Sequence, residues 1–115
     1  MIDVDEATFA EFVAEALAEI PARLAAMMDN VEVLIADRNP DEPDLLGLYE
    51  GIPLTERGDT YAGALPDRIM IYRLPTLAMC DTVFEVVDEV RITVIHEVAH
   101  HFGIDDDALH EWGWS

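Results

Sequence analysis

Residues His96-Glu97-Val98-Ala99-His100 form the pattern H-E-x-x-H. On a helix, a four-residue step turns about 400°, so both imidazoles stand on one face and can share one Zn²⁺. Glu97 then lies beside them, placed to act on a metal-bound water. The chemistry these residue types support at this spacing is metal-assisted hydrolysis, with Glu97 as general base.

A hydrolytic zinc site needs three protein ligands and an open position. Only fifteen residues follow His100, so a ligand on that side must be close. Gly103 can end the helix in the left-handed conformation and turn the chain back toward the metal. The longer pattern His96 to Asp106 reads H-E-x-x-H-x-x-G-x-x-D, with Asp106 where the metzincin pattern has its third His. Asp106 ranks first as third ligand, followed by His110, then Asp105 or Glu111, and last an upstream residue. The acids Asp105 to Asp107 also suit the start of a short helix over Ala108 to Trp112. Two His and one carboxylate can hold Fe²⁺ or Mn²⁺ as well, although H-E-x-x-H suits zinc best.

The pentad needs a long helix to present it. Thr82-Val83-Phe84-Glu85 is a T-x-x-E capping box, from which Val83, Val87, Val90, Val94 and Val98 recur at helical spacing as a core-facing stripe. Glu89, Thr93, His96 and His100 form a polar line on the opposite face. Val90 to Ile95 is rich in β-branched residues, so propensity alone favours a strand there; the cap and the His spacing favour helix. Upstream, a second capping box at Thr8-Phe9-Ala10-Glu11 predicts a helix from about Thr8 to Met28, interrupted at Pro21. Val31 to Ala36, Leu45 to Tyr49 and Arg68 to Arg73 read as strands, the last stopped by Pro75. The polar stretch from Arg57 to Asp67 is expected to form a loop at the rim of a cleft.

A chain of 115 residues with 51% apolar content is long enough for a single domain with a small core. The N-terminus lacks the features of a signal peptide, and no run approaches the roughly 20 apolar residues of a membrane span, so a cytoplasmic location is expected. Cys80 is the only cysteine and is read as a small buried apolar residue. The formal net charge is −19, with 25 acids against six basic residues. Such a surface repels phosphate backbones and argues against nucleic acid as a partner, while basic or neutral peptides are tolerated better.

The chain resembles the small bacterial zincin-like metallopeptidase family. The resemblance rests on Leu46-Gly47-Leu48-Tyr49 with Gly51 and Pro53-Leu54, on Ile71-Tyr72-Arg73, and above all on the run His96 to Asp106. It covers most of the chain. It implies a minimal zincin-like α+β fold: N-terminal helices and a small three-stranded sheet packed on a C-terminal active-site helix. It also implies one zinc ion held by His96, His100 and Asp106, with Glu97 catalytic. In such folds the sheet covers the helix, and its edge strand receives an extended peptide. No Met follows Gly103, so the methionine turn of full metzincins is missing.

The first functional expectation is therefore zinc-dependent hydrolysis of a peptide or protein. The second is a zincin scaffold that binds metal or a partner with little turnover. The third is a metal-dependent ribonuclease with similarly spaced ligands, which the acidic charge and Glu97 disfavour. For the oxyanion, Tyr72, Tyr49, His101, His110 and Arg73 are candidates in that order, with His101 otherwise expected at the surface or behind a ligand. Trp112 and Trp114 are expected to pin the C-terminus to the body.

Overall fold

A computed structural model describes residues 2–58 and 65–107 of the chain. Residues Ala108 to Trp112, His110, Glu111 and Trp114 therefore lie outside the described residues, as does most of the polar stretch expected at the cleft rim.

Helix α1 spans Glu6–Ala18 and starts a turn earlier than the Thr8 box suggests. Asp5 is its cap: Asp5 Oδ1 accepts from the Thr8 backbone N–H at 2.8 Å. A carboxylate at this end satisfies a free N–H and complements the helix dipole, and Phe9 in the second turn is fully buried. After Pro21 the chain makes only a single further turn, α2 (Ala22–Ala25).

Three strands follow: β1 (Val31–Ala36), β2 (Gly47–Glu50) and β3 (Asp67–Tyr72). Their order is β1-β3-β2. β3 runs parallel to β1, with Val31 opposite Asp67, and antiparallel to β2, with Gly47 opposite Ile71. In β3 the side chains of Asp67, Ile69 and Ile71 share the buried face, as the two-residue period of a strand requires. A single 3-10 turn, Leu54–Glu56, lies between β2 and β3.

Arg73 opens helix α3 (Arg73–Ala78) instead of ending the strand. Pro75 is third in this helix, within the first turn, where a missing N–H breaks no intrahelical bond. The exposed N–H of Leu74 is taken by the Asp37 carbonyl at 2.9 Å, and Thr76 Oγ1 donates back to the Tyr72 carbonyl at 2.8 Å.

Helix α4 runs Val83–His101 from the Thr82 cap. Thr82 Oγ1 accepts from the Glu85 N–H at 3.1 Å, and Glu85 Oε1 accepts from the Asp81 N–H at 3.2 Å. The helix packs against α1 and also against β2 and β3, which moves its buried arc from the expected stripe. Val86, Val90 and Val94 are fully buried, whereas Val83 is 47% exposed. Thr93 and Glu97 are also buried, so part of the polar line faces the sheet. Thr93 satisfies its hydroxyl on the Glu89 carbonyl at 2.8 Å. The β-branched run is helical because its valines fill the core shared with α1 and β3. The structure is thus α+β: one helix layer around a three-stranded mixed sheet, with α4 at the interface.

Among the described residues, no helix is long and apolar enough to cross a membrane. Cys80 is buried as expected, at 2% exposure; burial, then the nearby Glu89, Glu85 and Asp81 charges, push its thiol pKa up.

Candidate metal centre

The last turn of α4 and the reversal after it bring His96, His100 and Asp106 together. Their ligand atoms all lie within 4.8 Å of one another. Asp106 Oδ1 is 3.0 Å from His96 Nε2 and 3.1 Å from His100 Nε2. Ligands about 2.05 Å from a tetrahedral Zn²⁺ are spaced about 3.3 Å apart, so these separations fit a cation drawn in among the three. The rings of His96 and His100 have centroids 4.7 Å apart.

Orientation of His100 is fixed from behind. Its Nδ1 lies 3.0 Å from the Ile104 carbonyl oxygen, so Nδ1 carries the proton and Nε2 keeps its lone pair for a metal. Ile104 reaches that place because Gly103 has φ +85° and packs against Thr55. Any other residue there would put a Cβ 2.1 Å from Thr55 Oγ1. Asp106 follows three residues later, and its side chain is 75% exposed.

Glu97 is only 8% exposed. Burial pushes its carboxyl pKa up, and Asp106 adds to this, while the charges of His96 and His100 and a hydrogen bond from the Tyr49 backbone N–H pull it down; the net shift is upward. A carboxylate raised toward neutrality is a better proton acceptor at working pH than an ordinary one. The residues of the motif border a cleft of about 500 Å³, walled on the other side by Leu45, Leu48 and Tyr49 around β2 and by Pro53 and Glu56. Gly47 sets the spacing of the two walls: a Cβ on it would stand 2.7 Å from Thr93 Cγ2 and 3.2 Å from Glu97 Cγ.

Among the described oxyanion candidates, only Tyr49 borders this cleft, and its hydroxyl is engaged elsewhere. Tyr49 donates its hydroxyl to Asp67 Oδ2, and Tyr72 Oη accepts from Asn39 Nδ2 at 3.0 Å. Arg73 is held by the Val4 carbonyl at 2.8 Å and by Asp37 at 3.1 Å. His101 is fully buried, not at the surface; its Nδ1 is 3.1 Å from Asp67 Oδ2, and its Nε2 accepts from the Asp29 N–H at 3.2 Å. His110 lies outside the described residues.

These contacts belong to a buried network that the strand reading of residues 68–73 leaves out. Asp67 is a charged residue on the core face of the central strand. Beyond Tyr49 and His101, its carboxylate accepts from Arg57 Nη2 at 2.7 Å and from the Ile52 N–H at 3.2 Å. Burial pulls its pKa up, but the hydrogen bonds from Tyr49, Ile52, Arg57 and His101 outweigh it and hold the carboxyl below its ordinary value. Burial, then the Asp67 hydrogen bond, push the Tyr49 hydroxyl well above its ordinary range, so it stays a donor. Burial lowers the His101 pKa against the pull of Asp67, which keeps the ring neutral. The available signal in the sequence was phase: Asp67 precedes Ile69 and Ile71 by two and four residues.

Residues 28–114 match the profile of a family described as zincin-like metallopeptidase. Among solved structures, a conserved hypothetical protein from Thermus thermophilus is 26% identical, with a TM-score of 0.59 over 86% of this chain and 94% of that one. No match emerged among curated proteins. The family match spans the sheet, the cleft and the whole of α4, and on that ground the chain belongs to the zincin-like metallopeptidase family.

Proposed function

We propose that this protein is a zinc-dependent peptidase in which His96, His100 and Asp106 hold one Zn²⁺ and Glu97 is the general base. The observation that carries the reading is the meeting of three ligand atoms within 4.8 Å beside a carboxylate that is 8% exposed. Zinc bound there would supply Lewis acidity, acidifying a water and polarising a scissile carbonyl.

The remaining work falls to the chain. Glu97 accepts the water proton at its carboxylate and returns it to the leaving amine. Its burial favours proton uptake. The place of β2 at the edge of the sheet, along the cleft, supports binding of an extended peptide or protein there. The net charge of −19 favours a peptide over a nucleic acid.

A second reading is a metal-binding scaffold with weak or no turnover. It is favoured by the place of Tyr72, Arg73 and His101 away from the cleft lining and by the donation of the Tyr49 hydroxyl to Asp67.

Zinc content and cleavage of a diverse peptide library separate the two. Glu97→Ala is expected to keep zinc and lose cleavage by about 10²-fold or more, Asp106→Ala to lose zinc affinity, and Asp105→Ala to keep it. Absence of cleavage by the wild type selects the scaffold. Full zinc affinity in Asp106→Ala removes it from the ligand set.

A further inference from the structure

Asp67 is not in the cleft, yet its partners lead to both functional groups. One branch runs through α4: His101 Nδ1 donates to Asp67 Oδ2 at 3.1 Å, and His101 is the neighbour of ligand His100. The other runs through β2: Tyr49 gives its hydroxyl to Asp67, and its strand passes beside Glu97, since a Cβ on Gly47 would stand 3.2 Å from Glu97 Cγ. A third contact, the Ile52 N–H at 3.2 Å together with Arg57 at 2.7 Å, holds the segment that carries Thr55 against Gly103. The fit around the carboxylate is close. Gly51 has φ +153°, and a Cβ there would stand 2.3 Å from the Asp67 carboxylate.

Stability alone does not account for this arrangement. An apolar residue in phase with Ile69 and Ile71 would extend the core, and buried charge pairs are often no more stabilising than apolar replacements. What a carboxylate adds is direction: four donors from three segments must point at one group. His101 is held at both nitrogens, by Asp67 and by the Asp29 N–H, so neither its ring nor the helix turn that carries it can rotate freely.

We propose that Asp67 is a positioning residue of the metal centre, setting His100 through His101 and, through Tyr49, the β2 wall packed beside Glu97. The proposal rests on the zinc-site reading above. It assigns to a residue some thirty positions upstream of the motif a role in metal affinity and ligand geometry, beyond holding the fold together.

The test uses Zn²⁺ and Co²⁺ as probes on the full chain. Zinc affinity is measured by chelator competition, ligand geometry by the visible absorption of the Co²⁺-loaded protein, and folding by circular dichroism and thermal melting. Asp67→Asn and His101→Gln are expected to fold, to bind zinc about tenfold more weakly and to shift the Co²⁺ bands. Arg91→Gln, which breaks an exposed 2.8 Å pair between α4 and Glu19 at the end of α1, should change neither. A purely structural role would lower the melting temperature and leave the spectrum and affinity alone, and that result overturns the proposal. Should Asp67→Asn not fold, His101→Gln decides on the same criteria. Wild type that binds neither ion overturns the site reading and this proposal together; wild type that binds, with both variants unaltered, overturns this proposal alone.

Discussion

His100 Nδ1 and the carbonyl oxygen of Ile104 lie 3.0 Å apart, so the residue just past the helix end sets the tautomer of a candidate metal ligand four positions back. The turn between them depends on Gly103. An alanine there must hold φ near +85° and accept a 2.1 Å contact with Thr55 Oγ1. Gly103→Ala is expected to cost about 2 kcal/mol of stability and to weaken zinc binding as well, because Ile104 and Asp106 are both displaced. Chemical denaturation and metal titration of the same sample check both parts. Loss of stability with unchanged zinc affinity would show that the turn does not position the ligands.

Close approach of β2 to α4 is a second point of strain. At position 47 a Cβ meets Thr93 Cγ2 at 2.7 Å and the Met70 carbonyl at 3.1 Å. Gly47→Ala should destabilise by about 2 kcal/mol. Adding Thr93→Ser removes the methyl group and should restore about 1 kcal/mol, a coupling that a double-mutant cycle of melting curves measures. Additive effects of the two changes would place the clash elsewhere.

Glu97 gives a pH-dependent prediction for the metal-free protein. Its folded pKa is raised, chiefly by burial, above an ordinary value of 4.5. Between those two values the folded state holds a proton that the unfolded state has released, so stability falls as pH rises through that window. Glu97→Gln removes the buried charge. The chelator-treated variant should be more stable than wild type at pH 7 by about 1 kcal/mol, and the gap should close as pH drops below 4.5. Urea midpoints at acidic and neutral pH test this. A wild type as stable as the variant at pH 7 contradicts it.

The arrangement of the candidate site was legible in the sequence because most of it is local. His96, Glu97 and His100 sit within one helical turn and a half, where about 100° per residue fixes their relative placement whatever surrounds the helix. The Thr82 cap and the Gly103 stop are local too, since each depends on backbone groups a few residues away. Asp106 is near enough in the chain that one turn decides its position, and the structure brings its Oδ1 within 3.1 Å of both imidazoles.

Tertiary structure decided everything that depends on distant partners. The helix over Arg73–Ala78 is short, begins with a strand-like neighbour and contains Pro75, so local signals favoured a break; packing against α4 settles it. The face of α4 that is buried follows from contact with α1 on one side and the sheet on the other, which exposes Val83 and buries Thr93. Asp67 meets His101 across 34 residues and Tyr49 across 18, and no periodicity in one strand reveals which side chains the sheet order will bring to its carboxylate. Sequence alone determined that His96, Glu97 and His100 lie together within one stretch of the last helix. Only the fold determined that a buried aspartate stands behind them, because that depends on which strand lies at the centre of the sheet.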